Sequence, residues 1–274
     1  RMPKLASYFE CQTHLAKKLR NSANFIIRNL RTGLKKDPDK RTANENEVIE
    51  TVRIGIEMAN EKLQKDVDRL TKQLQSLPAS DPARTKIQKR IDNKQKNHPI
   101  MPTSDHWMLT YETLDAVMKN TKNPDYYAMP SQANQHVLRK VLKDWKSHFE
   151  LLASYRQNPG KFKAQPKQPG YIKTPYTTVT FTNQVAKRSD IKGKMHITFP
   201  RCSVPICVGK PEGSYVRTEV KPSYGGYMVY VTFQDEVKTP DIPENPTRIL
   251  GLDPGLDNFL TALTNFSSTP FIID

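Results

Sequence analysis

Apolar residues recur every three or four positions along the first half of the chain, a spacing that predicts amphipathic helices. The clearest pattern covers residues 131–155, and weaker ones cover 5–33, 44–77, 83–96 and 104–118. Pro78 and Pro82 separate the pattern over 44–77 from the one over 83–96, so we expect these two helices to form an antiparallel hairpin. Its apolar seam is narrow, which favours a solvated structural protrusion.

From residue 175 onward the pattern changes to the alternation that is typical of strands. Five strands are predicted, over 177–185, 194–199, 204–208, 215–220 and 227–233. Short antiparallel strands in such number suggest a small β-barrel. The sequence therefore predicts an α+β, multidomain protein with a helical domain, a connector, a barrel, a linker and the start of a third domain, over residues 5–157, 158–174, 175–237, 238–247 and 248–274.

Charge points to a polyanionic partner. Lys and Arg number 43 against 28 acidic residues, a formal net charge of +15 that is spread along the chain. The sequence has no apolar run of membrane-spanning length and no signal-peptide pattern, so we expect a cytoplasmic protein without a membrane partner. Its three cysteines fit a reducing compartment, and zinc is not expected because Cys202 and Cys207 have no second ligand pair at suitable spacing.

Basic residues fall on one side of two predicted helices. They are Lys17, Lys18, Arg20, Arg28 and Arg31 in the first, and Arg139, Lys140, Lys143 and Lys146 in the 131–155 helix. Two interpretations stay open for them, a solvated face or a surface that contacts nucleic-acid phosphates. His136 and His148, single histidines on the polar side of the second helix, are expected on the surface.

The predicted connector combines lysines, aromatic residues and prolines and has no acidic residue between 158 and 173. It is either an ordinary linker or an extended strip whose aromatic rings stack on bases while its lysines meet phosphates. The residues that would do so are Lys161, Phe162, Lys163, Lys167, Tyr171 and Lys173.

Asp253 follows a short apolar run and precedes a second alternating segment, which predicts a strand, a tight turn and another strand. Pro254 fixes φ at the first turn position, and Gly255 accepts a positive φ at the second. A carboxylate at the end of a buried strand is either a turn residue or a metal ligand of the kind that RNase H-like nucleases use to hold magnesium.

The pattern Gly251-x-Asp253-x-Gly255-x-x-Asn258 resembles the first RuvC motif of the transposon-encoded TnpB proteins and their relatives, the type V CRISPR effectors. The run 131–173 is similar to the TnpB segment that leads from the recognition lobe into the wedge domain. The resemblance implies an RNA-guided, Mg²⁺-dependent DNA endonuclease of a prokaryotic nucleoid, often labelled a transposase, with guide RNA and target DNA as partners.

By this resemblance Asp253 is the first of three catalytic carboxylates. The barrel is the wedge domain that grips the guide RNA, where Lys187 and Arg188 are expected on a loop that contacts it.

The chain departs from the resembled family in one respect. The second and third carboxylates and a four-cysteine zinc ribbon would lie beyond residue 274. Because one aspartate does not hold two magnesium ions, we expect this polypeptide alone not to cut DNA. It is then either the nucleic-acid-binding portion of a longer nuclease or a binding remnant, such as a repressor. A general basic RNA-binding module is a third alternative, and no feature suggests strand transfer.

Overall fold

The computed structural model describes residues 2–78, 81–235, 247–254 and 260–273, apart from the side chains of residues 268 and 273. In these ranges the protein is an α+β structure of helices and three small antiparallel sheets. It divides into two compact units, Arg1–Gln234 and Asp235–Asp274. The described helices and six of the strands belong to the first unit, and the remaining three strands belong to the second.

The helices of the first unit follow the apolar periodicity closely. They are Pro3–Gly33 (α1), Ala43–Ser76 (α2), Ala83–Lys96 (α3), Tyr111–Asn120 (α4), Pro124–Ala128 (α5) and Ser131–Gln157 (α6). The helices predicted at 5–33, 44–77, 83–96 and 131–155 are thereby confirmed to within two residues at each end. No helix in the described ranges combines the length and apolar composition needed to cross a membrane.

The helix predicted at 104–118 is wrong at its start. Residues 104–110 are irregular, and α4 begins only at Tyr111. Thr110 caps it, since the Thr110 hydroxyl accepts a hydrogen bond of 3.1 Å from the backbone N–H of Thr113. A short loop after α4 leads into α5, which Asn123 caps by accepting a hydrogen bond from the backbone N–H of Tyr126.

Two three-stranded sheets follow α6 in the first unit. Their strands are Val179–Thr182 (β1), Lys187–Ile191 (β2), Lys194–Thr198 (β3), Ile206–Gly209 (β4), Ser214–Ser223 (β5) and Gly226–Gln234 (β6). One sheet has the order β1-β5-β6 and the other has the order β2-β3-β4. Among the described strands none joins the two sheets, so the closed barrel predicted for 175–237 is wrong.

The second strand of this region was not predicted, because it has no alternation of apolar and polar residues. Each of its five side chains is exposed, and it is held by backbone pairing with β3. Lys192 and Gly193 connect the two strands with φ of 52° and 70°, as a two-residue hairpin turn with two positive φ angles requires. Lys187 and Arg188 therefore lie on a strand and not on the predicted loop.

A single apolar core joins the helices to both sheets. Its fully buried side chains include Leu19 and Leu30 of α1, Trp145 of α6, Phe181 of β1 and Ile197 of β3. The end of α2 and α3 have a separate small core, which consists of Val67, Leu70, Ile87 and Ile91. We call this helical hairpin, residues 60–97 as far as they are described, the arm.

The second unit is a three-stranded antiparallel sheet in the order β7-β8-β9. Its strands are Leu250–Asp253 (β7), Leu260–Thr264 (β8) and Ser267–Ile273 (β9). The strand and returning strand predicted around Asp253 are confirmed, but the expected burial of the first is wrong, because all four residues of β7 are exposed. The predicted linker 238–247 lies outside the described residues, except for Thr247.

Candidate nucleic-acid interface

The connector is bound along α1 over residues 168–177, a segment that we call the strap. Strap and helix run antiparallel, and their contacts begin at the Arg31–Gln168 pair (Nη1 to Oε1, 3.2 Å). They end where the Thr177 N–H donates to the Thr13 carbonyl at 3.2 Å. From Thr13 to Arg31 the helix rises by eighteen steps of about 1.5 Å, and from Gln168 to Thr177 the extended chain advances by nine steps of about 3.3 Å. Each segment therefore spans nearly 30 Å. The two segments therefore match in length.

Asparagine side chains hold the middle of the strap. Asn24 Nδ2 donates to the carbonyls of Pro169 and Gly170, at 3.2 and 3.1 Å. Asn21 makes a two-way contact with Ile172: its Nδ2 donates to the Ile172 carbonyl at 3.1 Å, and its Oδ1 accepts from the Ile172 N–H at 2.9 Å. These bonds satisfy backbone groups of an extended segment that has no strand partner.

Further contacts place the ends of the strap. His14 Nδ1 lies 3.1 Å from the Pro175 carbonyl oxygen, and the Tyr176 hydroxyl donates to Glu10 Oε1 at 2.7 Å. The α1 side chains that contact the strap thus form a polar stripe at spacings of three, four and, once, seven residues. They are Glu10, His14, Asn21, Asn24, Arg28 and Arg31.

Two of the arginines predicted to contact phosphates are used inside the protein. Arg20 forms an ion pair of 2.6 Å with Asp144 of α6, and both side chains are largely buried. Arg28 donates to the Pro169 carbonyl at 2.8 Å, and its guanidinium lies 5.3 Å from the ring centroid of Tyr171. Arg20 is neutralised by its partner, whereas Arg28 keeps its charge at the edge of the strap.

The aromatic residues of the connector differ in exposure. Phe162 is half-buried and packs edge-on against Tyr155, with ring centroids 5.7 Å apart. Tyr171 is 44% exposed, although Arg28 occupies one side of its ring. Tyr171 is therefore the better placed of the two to stack on a base.

The remaining predicted cations of this region leave their charges near solvent. Lys17 is half-buried, while the others are exposed: Arg139, Lys140, Lys143, Lys146, Lys161, Lys163, Lys167 and Lys173. Arg139 packs over the Tyr111 ring at 4.0 Å, and Lys146 lies 3.9 Å from Glu150. Together, α6 and the connector therefore present an exposed basic surface.

A groove follows this surface on both sides of the Arg20–Asp144 pair. One part, of about 340 Å³, is lined by Arg20, Asp144, His148 and Lys167 among others. A smaller recess lies between α1, α6 and the first sheet, where Arg20, His136 and Lys140 meet the threonines at 177, 178 and 180. Cations and hydroxyl groups converge there, which is chemistry suited to phosphate oxygens.

The two histidines of α6 do not add charge to the groove at neutral pH. Burial, then Arg139 and Arg217, lower the pKa of His136 below its usual value. Burial and the charge of Arg31 likewise lower the pKa of His148, against a hydrogen bond with the Lys167 backbone that raises it. The prediction that His148 lies on the surface is wrong, because it is only 7% exposed.

Arg31, the last of the basic residues predicted on one side of α1, lies among three aromatic rings. Its guanidinium lies 5.4 Å from the ring centroid of Trp107, 5.9 Å from that of Trp145 and 5.3 Å from that of Phe149. Burial and the nearby Arg28 lower its pKa. The sequence marked Arg31 only as one polar residue at helical spacing on α1, because its ring partners lie 76 to 118 residues away.

The two predicted β-sheet cations are exposed on β2. Arg188 lies 3.4 Å from Asp190, two residues along the same strand, and Lys187 pairs through its backbone with Thr198 of β3. The structure therefore keeps Lys187 accessible and leaves Arg188 with a partly compensated charge.

Asp253 lies at the end of β7, where its backbone pairs with Thr261 of β8. Its side chain and that of Pro254 are exposed, and Gly255 lies outside the described residues. Among the described residues, no three His, Cys, Asp or Glu side chains come together as a metal site. These residues therefore do not complete a magnesium centre, and within the described ranges neither Cys202, half-buried, nor Cys207, exposed, belongs to a group of three such side chains.

Comparison with models of known protein families and with curated proteins gives no match to the chain.

Proposed function

We propose that the chain is the nucleic-acid-binding portion of an RNA-guided, metal-dependent DNA endonuclease associated with a transposon. The observation that carries this proposal is the position of Asp253: the motif that resembles the first RuvC motif forms a strand that ends at this aspartate and pairs with the next strand. The proposal also requires a surface that binds polyanionic partners, and the exposed basic surface of α6 and the connector provides one.

In this proposal the first unit holds guide RNA, and base pairing between guide and target DNA supplies sequence specificity. Lys140, Lys143 and Lys167 neutralise phosphates, and Tyr171 stacks on an unpaired base. Arg20 and Arg28 stabilise the surface from within, through Asp144 and the strap. Lys187 on β2 extends the contact to the second sheet.

Asp253 is proposed as one carboxylate ligand of a magnesium centre. Mg²⁺ takes oxygen ligands and usually combines one or two carboxylates with substrate phosphates. Because the described residues provide no complete centre, cleavage is not assigned to this chain alone. The alternative function, a binding remnant or repressor, shares the same interface and differs only in lacking the hydrolytic step.

The test is to sequence the RNA that copurifies with the chain from cells that carry its native locus. One dominant structured RNA with a variable end is expected. In the variant Lys140→Gln/Lys143→Gln, recovery of that RNA falls several-fold, while the matched charge removal Lys65→Gln/Lys72→Gln on the α2 side of the arm leaves more of it bound. A heterogeneous RNA mixture that is lost at moderate salt would contradict guide binding.

Incubation with target DNA tests the expectation, which both alternatives share, that this chain alone does not cut DNA. With the guide identified, the purified chain is incubated with matched duplex DNA and Mg²⁺, and no cleavage is expected. Cleavage by the chain alone that Asp253→Ala abolishes would show a complete nuclease and overturn this expectation.

A further inference from the structure

The arm sorts its charges between an inner and an outer side. On the inner side, Lys94 of α3 forms an ion pair of 2.9 Å with Asp66 of α2. Arg84 Nη1 donates to the carbonyls of Leu74 and Leu77, at 2.7 and 2.8 Å, close to the bend of the hairpin. These two cations are therefore used to hold the arm together.

On the outer side of α3, the charged residues in the described part of the chain are all cations. Lys86, Lys89, Arg90 and Lys96 are exposed and, at 100° per residue, fall within a sector of about 120° that faces away from Ile87 and Ile91. None of the four forms an ion pair within the part of the chain that the structure describes. Asp92, the one acidic residue of α3, falls outside this sector and accepts a hydrogen bond of 2.7 Å from Gln88.

The opposite side of the arm, on α2, has mixed charge. Lys65 and Lys72 are exposed there among Glu61, Asp68 and Arg69. Arg69 in turn pairs with Asp66 at 3.1 Å. The two outer sides of one hairpin therefore differ in sign pattern although each is solvent-facing, which makes the α3 side distinct from an ordinary solvated face.

We propose that the outer side of α3 is a second nucleic-acid surface, which binds the phosphate backbone of a duplex. This inference rests on the proposed function, since it assumes a nucleic-acid partner. The stripe from Lys86 to Lys96 spans about 15 Å at 1.5 Å per residue, and a duplex presents about one phosphate charge per 1.7 Å of its axis. The stripe therefore faces several phosphates at once.

The composition of the stripe makes this binding independent of base sequence. Lysines act as flexible point charges toward phosphates, and phosphate contacts position a duplex without reading its bases. Arg90 contributes least, because it lies near Asp66, whose pKa is lowered first by Lys94 and then by Arg69 and Arg90. Lys86 and Lys89 are accordingly the pair whose loss should matter most.

The experiment compares two double variants of the whole chain that remove the same charge from the same arm. Lys86→Gln/Lys89→Gln neutralises the α3 side, and Lys65→Gln/Lys72→Gln neutralises the α2 side. The probe is a fluorescein-labelled RNA–DNA hybrid of about two helical turns, titrated in KCl from about 50 to 200 mM. All four side chains are exposed, so we expect both variants to keep the thermal midpoint and helical circular dichroism of the unaltered chain.

The α3 variant is expected to bind about three- to ten-fold more weakly at the lowest salt. Its slope of log affinity against log salt should fall by about one to two, because each lost phosphate contact removes roughly 0.9 from that slope. The α2 variant should bind within about two-fold of the unaltered chain. Lysine acetylation read by mass spectrometry should show Lys86 and Lys89 protected in the complex and Lys65 and Lys72 modified as in the free chain.

Three results would overturn the proposal, and they are distinguishable. An equal loss in both variants would mean that net charge alone matters, and no loss in the α3 variant would mean that this side of the arm meets solvent only. If the unaltered chain does not bind the hybrid, the proposed function fails and the arm surface fails with it.

Discussion

The α1–strap region and the outer side of α3 are both rich in cations, but they use them in opposite ways. In the first, Arg20 pairs with Asp144, Arg28 binds the Pro169 carbonyl, and Arg31 lies among three aromatic rings. In the second, Lys86 and Lys89 are exposed and have no ion-pair partner among the described residues. These three arginines of the first region stabilise the fold, whereas the two lysines of the second are available to a ligand.

This difference shows why the position of a charge decides its role. A helix of thirty-one residues places a stripe of polar side chains every three or four positions, and the strap follows that stripe. In the arm, α3 packs against α2 through its apolar side, so its polar side faces solvent. Substitutions in the two regions should therefore separate stability from binding.

The largest expected effect on stability is that of replacing Trp145, a core residue of α6 that packs against α1. It is completely buried, and its Nε1 donates at 2.9 Å to Asn24, the residue that holds two strap carbonyls. We expect Trp145→Ala to lower the free energy of unfolding by about 3–5 kcal/mol, since both core volume and a hydrogen bond are lost. Urea unfolding followed by circular dichroism measures it.

A matched control for this prediction is Trp107→Ala. Both tryptophans contact Arg31, but Trp107 is only half-buried. Trp107→Ala should therefore lower the free energy of unfolding by clearly less. Limited proteolysis should also cut the strap faster in Trp145→Ala than in Trp107→Ala. A cost below about 1 kcal/mol for Trp145→Ala would show that α1, α6 and the strap hold together without this side chain.

The next largest effect on stability concerns Glu45 and its partner Lys36, an exposed cation that bonds within the protein. It contacts both carboxylate oxygens of the buried Glu45, at 2.8 and 2.9 Å, while the Thr42 N–H donates to the same carboxylate at 2.8 Å. Lys36 first, then the Thr42 backbone, lower the pKa of Glu45 to about 2. We expect Glu45→Gln to lower the free energy of unfolding at neutral pH by about 1–2 kcal/mol.

The pH dependence of this loss follows from the sign of the shift. Because the pKa of Glu45 is lower in the folded chain, the charged form is stabilising above pH 4.5 and its contribution is lost as the pH falls toward about 2. The difference between the unaltered chain and Glu45→Gln should shrink over that interval. A difference for Glu45→Gln that stays constant over that interval would contradict the assignment.

The sequence predicts those elements whose own side chains determine them. Spacing of apolar residues placed α1, α2, α3 and α6, since each buries the face that its pattern marks. It did not place β2, because that strand exposes every side chain and is held by the backbone of β3. The closed barrel failed for a related reason: alternation indicates strands but not which edges pair.

The candidate site shows the same limit. The basic residues of α6 and the connector were predicted from composition and helical side, and most of them are exposed. The roles of Arg20 and Arg28 were not, because their partners Asp144 and Pro169 are more than a hundred residues away in sequence. The cationic side of α3 was expected only as part of a solvated protrusion, since the sequence does not show which charges the inner side of the hairpin uses.

The smallest effect is expected for substitution of Arg20. It tests most directly whether a cation of the α1–strap region stabilises the fold or contacts a ligand. The ion pair of Arg20 with Asp144 has no net charge, so removing both partners should leave the binding of a nucleic-acid duplex and its salt dependence unchanged. Arg20→Gln alone should bind more weakly, because Asp144 then stands unpaired in the groove, and Asp144→Asn added to it should restore binding. Each single change should cost about 1 kcal/mol of stability, with coupling in the double-mutant cycle. If the double variant instead binds as weakly as Arg20→Gln, then Arg20 itself contacts phosphate, and the α1–strap region uses its cations as the outer side of α3 does.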